Sequence, residues 1–225
     1  MSDSMPSRPG DTPPLDPRVV RWSGDPAGRH LLVLLHGYGA DENDLFALAP
    51  LLPADFAFAA VRAPLTPPWP APGYSWYPIE GLEGRDMAGV TVGAERLLQW
   101  LDEHTDGAAS VGLLGFSQGG AVAVQAMRVQ PERVAFTVNL SGYAAPGMLP
   151  GDAALAANPP PVFWGRGARD DVIPPELVAH TADWLPGHSD LVGRVYDGLT
   201  HSVSEEELGD VRTFLEGRLT ALTAG

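Results

Sequence analysis

The stretch Gly115-Phe116-Ser117-Gln118-Gly119 places a serine at a glycine-flanked turn, directly after the apolar run 111–114 and before an alanine- and valine-rich stretch at 119–130. A sharp strand-to-helix turn of this kind strains the serine backbone and projects Oγ into a cleft. Glycines on either side let neighbouring backbone approach closely. The helix amino terminus behind it favours developing negative charge. A bare glycine–serine turn is the bland alternative, and the strand before it and helix after it favour a nucleophile.

A serine hydroxyl is a weak nucleophile near neutral pH, so it needs a base within hydrogen-bond reach and a carboxylate to orient that base. For a serine at such a turn the partners follow in the order acid, then histidine. His201 meets that requirement, in Asp197-Gly198-Leu199-Thr200-His201-Ser202 between the last predicted strand and the last helix. His30 and His36 precede the serine, His104 and His180 belong to helices, and His188 sits in a turn-like Pro186-Gly187-His188-Ser189. The acid should follow the run 162–164, where Asp170 and Asp171 stand side by side and compete. A histidine base fails once protonated, so activity is expected to fall on acidification.

Acyl transfer also needs donors aimed at the tetrahedral oxyanion. The residue after the nucleophile supplies one, the Gln118 amide. A second comes from His36-Gly37-Tyr38-Gly39, with Tyr38 as the expected donor and His36 as a support for loop geometry. Trp69, Tyr74, Trp76 and Tyr77 gather in a proline-rich loop from Pro64 to about Asp86. Packing on the sheet edge and walling an acyl site are equally weighted for them, and Trp76 and Tyr77 are the substrate-contact candidates. Asp41-Glu42 and Glu205-Glu206 read as solvated surface or helix starts.

These residues must be positioned by the elements between them. Apolar runs at 31–35, 56–61, 111–114, 134–140, 161–164 and 191–196 read as strands. They alternate with helical stretches at 44–52, 90–104, 119–130 and 175–184 and with a final helix that Ser204 and Glu207 would start as a capping box. Such alternation predicts an α/β fold, a mostly parallel sheet with helices on both faces, whose ligands bind at the carboxyl ends of strands. Ser117, Asp170 and His201 each fall just past a strand.

The 225 residues fit one domain, read here as 18–225, with residues 1–17 as a flexible proline-rich tail lacking the features of a signal peptide. Hydrophobic residues at 44% against 19% charged are enough for a core. A net charge of −14 repels nucleic-acid phosphates and anionic lipid, so neither partner is expected. No apolar stretch reaches the roughly 18 residues of a membrane span, and a cytoplasmic location is the plainest reading. The chain has no cysteine, which removes disulfides, thiolate metal sites and cysteine nucleophiles; no metal or cofactor is expected.

With Leu35-His36-Gly37-Tyr38-Gly39-Ala40-Asp41, Gly115 through Gly120, Asp170 through Pro174 and Gly198 through Ser202, the chain resembles the phospholipase/carboxylesterase family of α/β-hydrolases. This group includes bacterial carboxylesterases and acyl-protein thioesterases. The resemblance runs from about Arg29 to Leu219, and four ordered motifs are far more specific than one. It implies a compact α/β-hydrolase fold with little or no lid, a metal-independent serine mechanism, and carboxylesterase activity on short- to medium-chain acyl esters. Thioesters and lysophospholipids are relatives' substrates, and a homodimer is suggested. The family pattern places the acid three residues before the apolar residue that precedes proline, which selects Asp170. The extended amino terminus and the segment 64–83 depart from that pattern. A catalytically silent binding module on the same fold is the competing reading; retention of Ser117, Asp170, His201 and both oxyanion loops disfavours it.

Overall fold

The computed structural model describes residues 12–80, 84–85 and 87–224. Residues 1–11 of the expected tail lie outside that set, as does Asp86, where the proline-rich loop was expected to end. In chain order the strands are β1 Arg21–Trp22, β2 His30–Leu35, β3 Ala57–Val61, β4 Ile79–Glu80, β5 Gly84–Arg85, β6 Ser110–Phe116, β7 Phe136–Leu140, β8 Pro161–Gly167 and β9 Asp190–Tyr196. The α-helices are α1 Glu42–Phe46, α2 Met87–His104, α3 Gln118–Val129, α4 Asp152–Ala157, α5 Pro175–Trp184 and α6 Glu205–Ala224.

Seven strands make one sheet in the order β1-β3-β2-β6-β7-β8-β9. All its pairs are parallel except β1 with β3. β4 and β5 form a separate small hairpin inside the proline-rich loop. Because side chains alternate along a strand, one buried run feeds two cores. Leu31, Val33 and Leu35 of β2 pack with α2 and α3, whereas Leu32 and Leu34 face the side that holds Leu45 of α1 and Val211, Phe214 and Leu215 of α6. This two-sided burial is why the central strands read as unbroken apolar runs.

Several parts of the chain differ from expectation. The helix expected over 44–52 is split: the Asp41 side chain accepts the Asn43 N–H at 2.8 Å and starts α1 early, and the chain re-forms only as a short 3₁₀ turn, Ala49–Leu51, around Pro50. β1 and α4 were not anticipated, being too short to show a period. Residues 12–17 are not a free tail. Leu15 is buried in the core, and the Thr12 carbonyl accepts Arg96 Nε–H at 2.8 Å, so the chain is packed from the first residues described.

Candidate active site

The nucleophile candidate sits where β6 gives way to α3. Ser117 has φ 53° and ψ −115°, a left-handed conformation that is strained for a residue bearing a Cβ. Two backbone hydrogen bonds hold it: its N–H donates to the Leu140 carbonyl at 2.8 Å, and its carbonyl accepts from Ala121 N–H at 3.0 Å. The flanking glycines are required by packing. A Cβ on Gly115 would overlap the backbone of Gly119, and a Cβ on Gly119 would overlap the Leu35 carbonyl at the end of β2. The turn therefore presses directly on the neighbouring strand end.

His201 reaches Ser117 from the loop after β9. Its Nε2 lies 2.8 Å from Ser117 Oγ and its Nδ1 lies 2.7 Å from Asp170 Oδ2. Asp170 projects from the loop after β8, and its other oxygen accepts the N–H groups of Val172 and Ile173 at 3.0 and 3.2 Å. A carboxylate held by two amides accepts from the imidazole, so Nδ1 carries hydrogen and Nε2 is left to accept the serine hydroxyl proton. The acid and histidine loops are tied together, Arg169 N–H donating to the Leu199 carbonyl at 2.9 Å and Ala168 N–H to the Tyr196 carbonyl at 2.9 Å. The Phe116 ring packs against the imidazole, with centroids 4.9 Å apart. Asp171 is exposed. His188 stacks on Trp184 at 4.1 Å and bonds its carbonyl.

The first strand-end loop lies beside the serine. A Cβ on Gly37 would stand 3.6 Å from Ser117 Cβ. The loop's own bonds run from Gly39 N–H to the Tyr74 carbonyl at 2.9 Å and from Ala40 N–H to the Gly37 carbonyl at 3.3 Å; the Tyr38 N–H takes part in neither. His36 is buried beneath. The Ala63 N–H donates to its Nε2 at 3.0 Å, so its Nδ1 carries the hydrogen that goes to the Gly37 carbonyl at 2.7 Å. Burial lowers its pKa and keeps it neutral, which fits a loop support and not a second base.

Trp76 and Tyr77 are both fully buried, which favours packing over substrate contact for these two candidates. Trp76 Nε1–H donates to the His36 carbonyl at 2.9 Å, and the Tyr77 and Tyr143 hydroxyls meet at 2.7 Å. These bonds tie both rings into the structure beside the first strand-end loop. Among the loop aromatics it is Trp69 that reaches solvent, at 93% exposure. Glu42 is likewise buried, not solvated. It forms a two-point pair with Arg62 at 2.6 Å, whose guanidinium covers the Tyr74 ring and holds the Glu42 carboxyl below its ordinary range. Asp41 does start α1, as expected.

Concavities of about 420 Å³ beside Gln130–Arg133 and about 530 Å³ beneath Phe46–Phe58 include none of Ser117, Asp170 and His201. Among the described residues no group of three His, Asp or Glu side chains is arranged to hold a metal ion, and no helix is long and apolar enough to cross a membrane.

The profile of the phospholipase/carboxylesterase family matches residues 17–219. The chain belongs to that family. Acyl-protein thioesterase 1 of Debaryomyces hansenii is 28% identical over 182 residues, covering 77% of this chain and 75% of the relative. The crystal structure of esterase PE8 is 29% identical with a TM-score of 0.68, covering 85% of this chain and 93% of that one. Zea mays acyl-protein thioesterase 2 shares the α/β-hydrolase fold at 22% identity, with a TM-score of 0.74 over 89% of this chain and 98% of that one.

Proposed function

We propose that the protein is a serine carboxylesterase that hydrolyses short- to medium-chain acyl esters through an acyl-enzyme on Ser117. The observation that carries this reading is the continuous hydrogen-bonded line from Ser117 Oγ through His201 to Asp170, at 2.8 and 2.7 Å, beginning at a strained turn. His201 takes the serine proton as Oγ attacks the acyl carbon. The amides of Tyr38 and Gln118 receive the oxyanion, and His201 Nε2–H then protonates the leaving oxygen. Water attacks the acyl-enzyme in the second half, with His201 again as base and then as acid to Ser117. Asp170 keeps the imidazole tautomer and stabilises the imidazolium. No step needs a metal or cofactor.

A protein or small-molecule thioester is the second reading, favoured by the name of the Debaryomyces hansenii relative. The same triad serves, with a thiolate leaving in place of an alkoxide.

The test is turnover of a p-nitrophenyl ester series of increasing acyl length, run beside matched acyl thioesters, for wild type and a folded Ser117→Ala variant. Loss of about 10⁴-fold or more in the variant is expected, with an optimum at short to medium chains. Equal rates in both proteins would bring forward the binding-module reading. Thioesters turned over much faster than matched esters would select the second reading.

A further inference from the structure

We propose that the Gln118 side chain and the Trp76 indole are positioning residues that fix the two oxyanion donors relative to each other, a role that rests on the serine-hydrolase reading above. The two donors belong to different elements. Tyr38 lies in the loop after β2 and Gln118 opens α3. Their N–H groups can converge on one oxygen only if those loops keep a fixed spacing. The strands beneath already pair, Leu35 with Gly115, and the short segment 74–77 adds a second tie at the level of the loops.

At one end of this segment Tyr74 pairs with the oxyanion loop in both directions. Its carbonyl accepts Gly39 N–H at 2.9 Å, and its N–H donates to the Ala40 carbonyl at 2.8 Å. At the other end the Gln118 carboxamide acts as a strand partner. Its Oε1 accepts Trp76 N–H at 2.9 Å and its Nε2–H donates to the Tyr77 carbonyl at 2.7 Å. Flipping the amide would set donor against donor and acceptor against acceptor, so its orientation is dictated. Between these ends Trp76 Nε1–H holds the His36 carbonyl at 2.9 Å, one residue before Gly37, while the His36 ring ties the same loop to Ala63.

Gln118, Trp76 and His36 are all at most 1% exposed. A partner lost from this network leaves a buried polar group with no water to replace it. The residue that offers a backbone donor to the oxyanion thus uses its side chain to grip the strap that carries the other donor's loop. Oxyanion donors act on the transition state more than on the bound ester, and a displacement of about 1 Å can lower rate about 100-fold. The signature of a positioning role is therefore a fall in kcat with KM nearly unchanged.

Gln118→Leu, Gln118→Glu and Trp76→Phe are compared with wild type for kcat and KM on p-nitrophenyl butyrate, each first checked by near-UV circular dichroism. Gln118→Leu is expected to lower kcat about 30- to 100-fold with KM within about threefold. Trp76→Phe, which removes the bond to the His36 carbonyl together with part of the buried ring, is expected to lower it about 3- to 10-fold. A protonated carboxyl at 118 can accept from Trp76 and donate to Tyr77 as the carboxamide does, whereas a carboxylate cannot donate. The kcat of Gln118→Glu relative to wild type should accordingly rise as pH falls from about 9 to about 6. If Gln118→Leu does not fold, the other two variants carry the test.

Ser117-dependent turnover that Gln118→Leu and Trp76→Phe leave intact overturns the positioning role alone. So does a loss that lies in KM instead of kcat, or a Gln118→Glu ratio that falls as pH falls. Wild-type turnover that survives Ser117→Ala overturns the serine-hydrolase reading and the positioning role with it.

Discussion

Replacing Glu207 by glutamine should raise stability at alkaline pH and leave it nearly unchanged at acid pH. Glu207 lies in the first turn of α6, fully buried, and neither carboxylate oxygen has a hydrogen-bond partner among the described residues. Its Oε1 occupies the space that a Cβ on Gly165 of β8 would fill, and the Phe163 ring lies close by. Burial is the main cause and the nearby Asp210 a smaller one, against the opposing Ser204 hydrogen bond, of a pKa pushed from an ordinary 4.5 to about 7. The folded protein then holds a proton that the unfolded chain releases between those values. Stability from the protonated acid is full below pH 4.5 and is lost as pH rises through about 7. At about 1.4 kcal/mol for each tenfold change in proton affinity, the loss is roughly 3 kcal/mol. Glu207→Gln has no charge to form, so its stability relative to wild type should grow by about 2–3 kcal/mol between pH 4.5 and pH 8.5, or very roughly 5–10 °C in melting temperature. Urea unfolding at several pH values measures this difference. A wild-type-to-variant difference that stays constant across that range, whatever its size, would rule out ionisation of Glu207 as the cause, because a fixed offset reflects packing.

Asp170→Asn should lower kcat by about 10⁴-fold through loss of the imidazole tautomer, while Asp171→Asn stays within about twofold; steady-state kinetics on one ester checks both. Gly119→Ala should destabilise the fold by about 1–3 kcal/mol in urea, because the added methyl meets the Leu35 carbonyl and not a movable side chain. Asp152→Ala should destabilise by about 3–5 kcal/mol. It leaves the buried Arg128 guanidinium, now held by Asp152 at 2.8 and 2.9 Å, without its counter-charge, whereas an exposed pair such as Arg212–Glu216 should contribute less than about 1 kcal/mol.

The parts of the site that were legible in the amino-acid sequence are those whose chemistry and local backbone coincide. Ser117 was readable because its glycines, the apolar run of β6 and the start of α3 are contiguous, and His201 because the loop after β9 leaves few rivals. Asp170 and Asp171 could not be separated by residue type. In the structure they differ in which carboxylate receives the Val172 and Ile173 amides and turns toward the imidazole.

For Trp76 and Tyr77 the local sequence leaves packing and an acyl-site wall equally open, because nothing nearby in the chain shows what covers them. Their burial depends on His36, Gln118 and Tyr143, residues far away in the chain. The Gln118 carboxamide was overlooked because only its backbone amide has a motif. The capping box of α6 is half formed: Glu207 N–H finds Ser204 Oγ at 3.1 Å, but the carboxylate that should reach back turns into the core over Gly165. Side-chain direction is set by tertiary packing and is not written in the local pattern.

The measurement that bears most directly on the central claim is covalent labelling by a fluorophosphonate, read by intact mass and peptide mapping in wild type, Ser117→Ala and His201→Ala. One adduct per chain on Ser117 is expected, none at that position in Ser117→Ala, and labelling slowed by about 10³-fold or more in His201→Ala, since the hydroxyl then lacks its base. An unlabelled wild type, or labelling as fast without His201, would contradict that claim.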